Sequence, residues 1–189
     1  MNPLSILNKY HDPDSETYRV LTTHSVLVAQ LAIDIGVRLK SQPAPDLQFI
    51  YEATMLHDIG YRFPKAEEEL DGRFKDLPRS LYVLHGFYGA ELLRKEGLPK
   101  HARVAECHIG VGLPKEDIVS AGWPIPANDY LPETIEEKII AYADLFYSKH
   151  PESLFKKGKK SAIREELGKF GDEKVRIFDS WDRLFDQLQ

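Results

Sequence analysis

Cysteine is nearly absent from this 189-residue chain: Cys107 stands alone, so no disulfide can form within it, and a reducing compartment is expected. Positive charge is not in excess either, with 25 Lys and Arg against 30 Asp and Glu and a formal net charge of -5. A mixed, acidic surface argues against a long nucleic acid as partner, because tracking a phosphate backbone calls for a basic face. A small anion held in a local positive pocket remains compatible with it. Long apolar runs are missing too. The segment SVLVAQLAIDIG is interrupted by Gln30 and Asp34 and is too short to cross a bilayer. The opening MNPLSILNKYHDPDSETY lacks the basic start and apolar core of a signal peptide. Together these absences lead to the expectation of a cytoplasmic protein with no membrane partner. No stretch alternates with period two for long enough to make a strand, and there is no internal repeat.

What is present is helical spacing. Val20, Leu21, Leu27, Val28 and Leu31 share one face of a helix expected to begin near Asp14 or Ser15, either of which can cap it. A second helix is expected after Pro43-Ala-Pro45, capped by Asp46 and running to about His57, with Gly60 and Pro64 as its stop. Residues 61–80 read as a charged loop. Helices are expected at 84–96 and 99–109, separated by Gly97 and Pro99, with a short one near 115–121. Pro132-Glu-Thr-Ile-Glu-Glu should open a helix through about Tyr147, its acidic first turn matching the helix dipole. Two more helices, split near Gly171, should follow. A hydrophobic content of 42% suffices for one sizeable core. The expectation is therefore an all-α chain, with residues 1–150 as the principal domain and 151–189 as a helical extension packed on it.

Several polar residues sit where apolar ones belong. His24 has Val20, Leu21, Leu27 and Val28 as its helical neighbours; taken alone, it reads as a core histidine satisfied by a hydrogen bond. Asp144 shares its face with Ile140, Ala141 and Ser148, and no basic residue lies on that face within a turn. A lone buried carboxylate is costly, so Asp144 needs a cation from elsewhere. The pair His57-Asp58 ends an apolar run, His85 opens HGFYGAELL, and His108 closes HARVAECH. Gly86 and Gly89 would let other backbone or a ligand come close. Four imidazoles and two carboxylates from five segments form a nitrogen and oxygen donor set suited to Fe, Mn, Co, Ni or Zn. Six donors exceed what one catalytic metal takes from protein, and two cations sharing a carboxylate would use them all. Cys107, adjacent to His108, points elsewhere. His11, His101 and His150 lie in polar contexts and receive no role.

The order H…HD…H…H…D resembles the HD-domain superfamily of metal-dependent phosphohydrolases, and LHDIG, HGFYGAELLRKEGLP, ECHIGVG and PETIEEKIIAYAD resemble blocks of its small stand-alone HDIG-type members. The resemblance runs from about residue 20 to 147. It implies a bundle of five or more helices around divalent metal ions, two in number, and a metal-activated water that cleaves a phosphoester or phosphoanhydride. His24, His57 and Asp144 would hold the first ion, Asp58 would bridge and carry catalysis, and His85 and His108 would hold the second. The implied partner is a small phosphorylated substrate, a nucleotide above all. Many two-metal relatives follow HDIG with a phosphate-binding lysine, whereas this chain has Tyr61 and Arg62. Arg62 is the candidate clamp for phosphate, with Lys65, Arg73 and Lys75 in the same loop and Lys115 in the loop of the 110s as further cations that could meet phosphate. The GYP extension of cyclic-di-GMP phosphodiesterases is absent, which argues against that substrate. Two alternatives stay open: a di-iron oxygenase built on the same six ligands, and a signalling module without activity. KKGKK, Lys156 to Lys160, reads as a solvated linker.

Overall fold

The computed structural model describes residues 1–39, 41, 43–61 and 83–186. Among these there are nine helices and no strand, only an isolated antiparallel bridge between Leu113 and Tyr130, so the fold is all-α. The helices are α1 (Pro3–Tyr10), α2 (Glu16–Arg38), α3 (Leu47–Leu56), α4 (His85–Lys95), α5 (Pro99–Cys107), α6 (Lys115–Ala121), α7 (Ile135–Asp144), α8 (Lys160–Gly168) and α9 (Asp172–Asp186).

Local chemistry accounts for most of the starts. The Ser15 hydroxyl accepts from the Tyr18 N–H at α2, and Asp46 accepts from the Phe49 N–H at α3. At α7, Thr134 and Glu137 satisfy each other's backbone in a capping box. Two differences from the sequence reading stand out. Helix α1 was not expected, yet Asn2 caps it and Pro3 supplies its first position. Helix α7 ends at Asp144 rather than Tyr147, because the chain turns there to bring residues 145–149 back toward the bundle. Helix α3 ends at Leu56 with His57 as its C-cap, where the sequence placed its end; Gly60 serves a packing purpose described below.

Helix α2 packs on α3 and α7, and α4 pairs with α5. By length (23 residues) and mean hydropathy (1.6) α2 alone would suffice to cross a bilayer, but half of that stretch is buried inside the protein, as in the central helix of a bundle. The interior divides into two apolar clusters. One gathers Val28, Ile50, Val104, Ile140, Phe146, Phe178 and Trp181; the other gathers Leu7, Leu21, Leu56, Ile59, Leu93 and Ala105. Helices α2, α3 and α5 contribute to both. On α2, Leu21 belongs to one cluster and Val28 to the other, with His24 a turn from each.

The C-terminal helices are tied to this core. Phe178 is fully buried and stacks on Tyr142 at 5.5 Å, and burial of such a ring contributes roughly 1.5–3 kcal/mol. The Tyr142 hydroxyl donates to Asp182, which also pairs with Lys160 at 2.7 Å. Lys157 lies over the Phe146 ring, 5.1 Å from its centre, so two lysines of KKGKK are engaged with the fold.

Candidate metal centre

The six side chains singled out in the sequence come together at the seam between the two apolar clusters. Four of them stand at helix ends. His57 and His108 are the C-caps of α3 and α5, His85 is the first residue of α4, and Asp144 is the last of α7. His24 projects from the middle of α2, and Asp58 follows His57 in the turn after α3.

Two glycines make this convergence possible. A Cβ on Gly60 would stand 2.2 Å from the His85 carbonyl oxygen and 2.6 Å from the Gly89 nitrogen; one on Gly86 would stand 2.4 Å from the Ala105 carbonyl oxygen. Both are closer than real Cβ atoms come. The glycine of HDIG therefore admits the start of α4, and Gly86 admits the end of α5, so that His57, Asp58, His85 and His108 share one space. Backbone, not ligand, uses the room these glycines leave.

Asp58 is the hub. Its Oδ2 lies 3.2 Å from His24 Nε2 and 3.1 Å from His57 Nε2, while Oδ1 lies 2.7 Å from His85 Nε2 and 3.5 Å from His108 Nε2. Asp144 Oδ1 lies 2.9 Å from His24 Nε2 and 3.3 Å from His57 Nε2. The donors thus fall into two groups that could each hold an ion: His24, His57, Asp58 and Asp144 in one, and Asp58, His85 and His108 in the other. Asp58 belongs to both through different oxygens.

Whether this is a hydrogen-bonded core cluster or a metal-binding one is decided by direction and protonation. Both oxygens of Asp58 and both ring nitrogens of His24 are buried with no hydrogen-bond partner, despite the short separations. The atoms converge on common points rather than on each other. Buried polar atoms are seldom left this way; a cation at the convergence points would satisfy the Asp58 oxygens and His24 Nε2, though not His24 Nδ1 on the other side of its ring. His57 Nδ1 donates to the Thr54 carbonyl at 2.6 Å and His108 Nδ1 to the Ala105 carbonyl at 2.8 Å, which leaves each neutral ring's Nε2 lone pair for the centre, the tautomer a metal requires. His85 Nε2 and His108 Nε2 lie 3.2 Å apart, a separation that suits a hydrogen bond between the rings or one ion shared by both. The residues fit divalent ions.

The electrostatics agree. Burial drives the His108 imidazole down to about 4, so it is a neutral donor. For His57 burial acts downward, but the charges of Asp58 and Asp144 outweigh it and push the ring up to about 10; without an ion the ring therefore carries a proton on Nε2 toward these carboxylates, the place a divalent ion would take. Burial opposes ionisation of Asp58 and Asp144, yet nearby positive charge, His57 and Lys149 for Asp58 and foremost Lys149 for Asp144, holds both well below the usual carboxylate range.

Two contributors escaped the sequence reading. Lys149 Nζ is 2.6 Å from Asp58 Oδ2, and its side chain is 11% exposed. It is the cation that Asp144 lacked within its own helix, delivered by the turn after α7. His11 is buried, and its Nε2–H donates to the Ile59 carbonyl at 2.7 Å, pinning the HDIG turn from the α1–α2 connection. No local pattern marks either residue; both act through the tertiary fold. Among the other sequence candidates, Lys115 is exposed at the start of α6, where its N–H donates to Asp129. Arg62, Lys65, Arg73 and Lys75 lie outside the described residues. Burial pushes the Cys107 thiol up, and the residue takes no place in either donor group. His101 pairs with Glu52 at 3.5 Å.

Comparison with known proteins places the arrangement. The chain is 35% identical over 123 residues to an uncharacterized protein of Methanocaldococcus jannaschii, a match that covers 64% of this chain and 62% of that one. It is 31% identical over 146 residues to a tRNA (cytidine(56)-2'-O)-methyltransferase of Thermoplasma volcanium, covering 77% of this chain but 35% of that protein, and 33% identical over 111 residues to the same-named protein of Picrophilus torridus, covering 58% and 27%. The chain thus spans less than two thirds of these relatives' lengths. In three dimensions it resembles the HD domain of the L. monocytogenes phosphodiesterase PgpH, with a TM-score of 0.52 at 20% identity over 98% of this chain and 96% of that one. The same domain in complex with cyclic-di-AMP gives a TM-score of 0.52 at 19% identity, covering 98% and 94%. The HD domain profile matches residues 21–148, the stretch that carries all six donors, and the chain belongs to the HD domain family.

Proposed function

We propose that this protein is a metal-dependent phosphohydrolase that cleaves a phosphoester or phosphoanhydride of a nucleotide or related small molecule. The observation that carries the reading is the divided hub: one buried carboxylate, Asp58, whose two oxygens face two separate sets of imidazole nitrogens. His24, His57 and Asp144 would hold one divalent ion and His85 and His108 the other, with Asp58 shared. Ions held there supply an activated water and offset charge developing on the phosphoryl oxygens.

The chain's own residues prepare that chemistry. The Thr54 and Ala105 carbonyls fix the tautomers of His57 and His108, and burial keeps His108 neutral. His11 and Gly60 hold the HDIG turn against α4. The cyclic-di-AMP complex of a protein with the same fold supports a nucleotide as substrate class. The methyltransferase names describe longer proteins, of which this chain matches about a third, and methyl transfer is not part of the proposal.

The test is elemental analysis of purified protein, followed by a panel of nucleotides and phosphodiesters assayed with the metal found, in air and without oxygen. Release of phosphate or a nucleotide under both conditions is expected. Turnover that consumes oxygen and requires iron would replace this reading with the oxygenase one. Protein that binds no divalent ion would remove both.

A further inference from the structure

Lys149 is the one lysine or arginine among the described residues brought to the hub carboxylate, and it is the least explained part of the centre. It follows α7 by five residues, its stem is largely covered, and its Nζ stands 5.8 Å from the centre of the Tyr61 ring. Tyr61 is itself buried, with its ring edge-on to His85 at 6.5 Å. The ammonium faces Asp58 Oδ2, the same oxygen that His24 and His57 approach. That pairing lacks hydrogen-bond geometry, because Oδ2 has no hydrogen-bond partner. Lys149 therefore shares an oxygen with the first donor group.

We propose that Lys149 is a substrate-phosphate ligand that competes with the first cation for Asp58 Oδ2. This rests on the phosphohydrolase reading above. An ammonium and a divalent ion cannot both hold one carboxylate oxygen at close range without mutual repulsion, so binding of the ion favours turning Nζ away. The flexible four-carbon stem gives Nζ a range of positions around Oδ2. An anionic oxygen that shares the cation with Oδ2 sits beside Oδ2, and so within reach of the three N–H donors of Nζ. The same side chain thereby neutralises the carboxylates before loading and the phosphoryl group afterwards. A purely structural counter-ion would do only the first.

The two roles separate by experiment. Wild type, Lys149→Gln and Lys149→Arg are titrated with Mn²⁺ against a competing chelator, and inorganic phosphate is then titrated into each metal-loaded protein by calorimetry. Circular dichroism and melting check that the variants fold. Lys149→Gln should bind Mn²⁺ at least as tightly as wild type, while its phosphate Kd rises roughly ten- to a hundredfold, the range for a lost charge-assisted hydrogen bond. Lys149→Arg, which keeps charge and donors, should recover part of the phosphate affinity. Phosphate affinity unchanged in Lys149→Gln, or metal affinity that falls while phosphate affinity holds, would overturn the assignment and leave Lys149 a structural counter-ion. Wild-type protein that takes up no Mn²⁺ would overturn the functional reading itself and this one with it, a failure visible before phosphate is added.

Discussion

Consider alanine at Gly86, the second residue of α4. In an ordinary helix, glycine to alanine stabilises by up to about 1 kcal/mol. Here the new Cβ would stand 2.4 Å from the Ala105 carbonyl oxygen, whereas real contacts do not fall below 3.0 Å. The difference requires α4 and α5 to part by at least about 0.6 Å, and forced overpacking of this kind costs about 1–3 kcal/mol. Strain exceeds propensity, so a net loss of about 1–2 kcal/mol is expected. For a chain of this length that lowers Tm by about 2–8 °C. The Ala105 carbonyl also accepts from His108 Nδ1, and metal–ligand distances tolerate only about 0.2 Å. The variant should therefore lose the His85–His108 ion while keeping the His24–His57–Asp144 one. Thermal melting by circular dichroism and metal stoichiometry by elemental analysis read the two effects. Gly168→Ala is the control, because its Cβ would meet Val175 at an ordinary 3.8 Å; it should not lower Tm. A Gly86→Ala protein as stable as wild type and fully loaded would refute this account of how the helices meet.

Asp58→Asn should abolish metal binding in both groups while helical content stays, as elemental analysis and circular dichroism would show; retained binding would remove the bridge assignment. Phe178→Ala should cost about 3–5 kcal/mol, measured by denaturant unfolding, and a loss under 1 kcal/mol would mean that α9 contributes little to the core. Burial lowers the His11 pKa from 6.5, only partly offset by its bond to Ile59, so the folded state favours the neutral ring. Its stabilising contribution is whole above pH 6.5 and is lost as pH falls from there through the lowered folded value. His11→Gln should flatten that part of the stability profile, and an unchanged slope would show that His11 does not titrate with folding.

Features written in adjacent residues could be read from the sequence. Ser15, one of two candidates, and Asp46 cap helices where the sequence placed them, the acidic segment after Pro132 opens α7, and the all-α class followed from spacing alone. His24, His57-Asp58 and Asp144 were visible because they interrupt or end apolar patterns, and His85 and His108 because they stand at helix ends beside glycines. Helix α1 was hidden by its polar neighbours, although Asn2-Pro3 is a start signal. Gly60 looked like a helix stop, but what requires it is the His85 carbonyl, twenty-five positions later in the chain. Lys149 and His11 could not be found, because their partners Asp58 and Ile59 are chosen by how helices pack and not by what precedes or follows them.

The seam position of the centre has one more consequence. Its donors come from α2, α4, α7 and the turns ending α3 and α5, so any opening of the bundle pulls them apart. An ion that binds the closed form and not the open one adds about 4 kcal/mol at a thousand times its Kd, a large share of what holds a domain together. Durability and competence would then be set by the same supply: a cell short of the right cation would hold less of this protein, not merely a slower version of it.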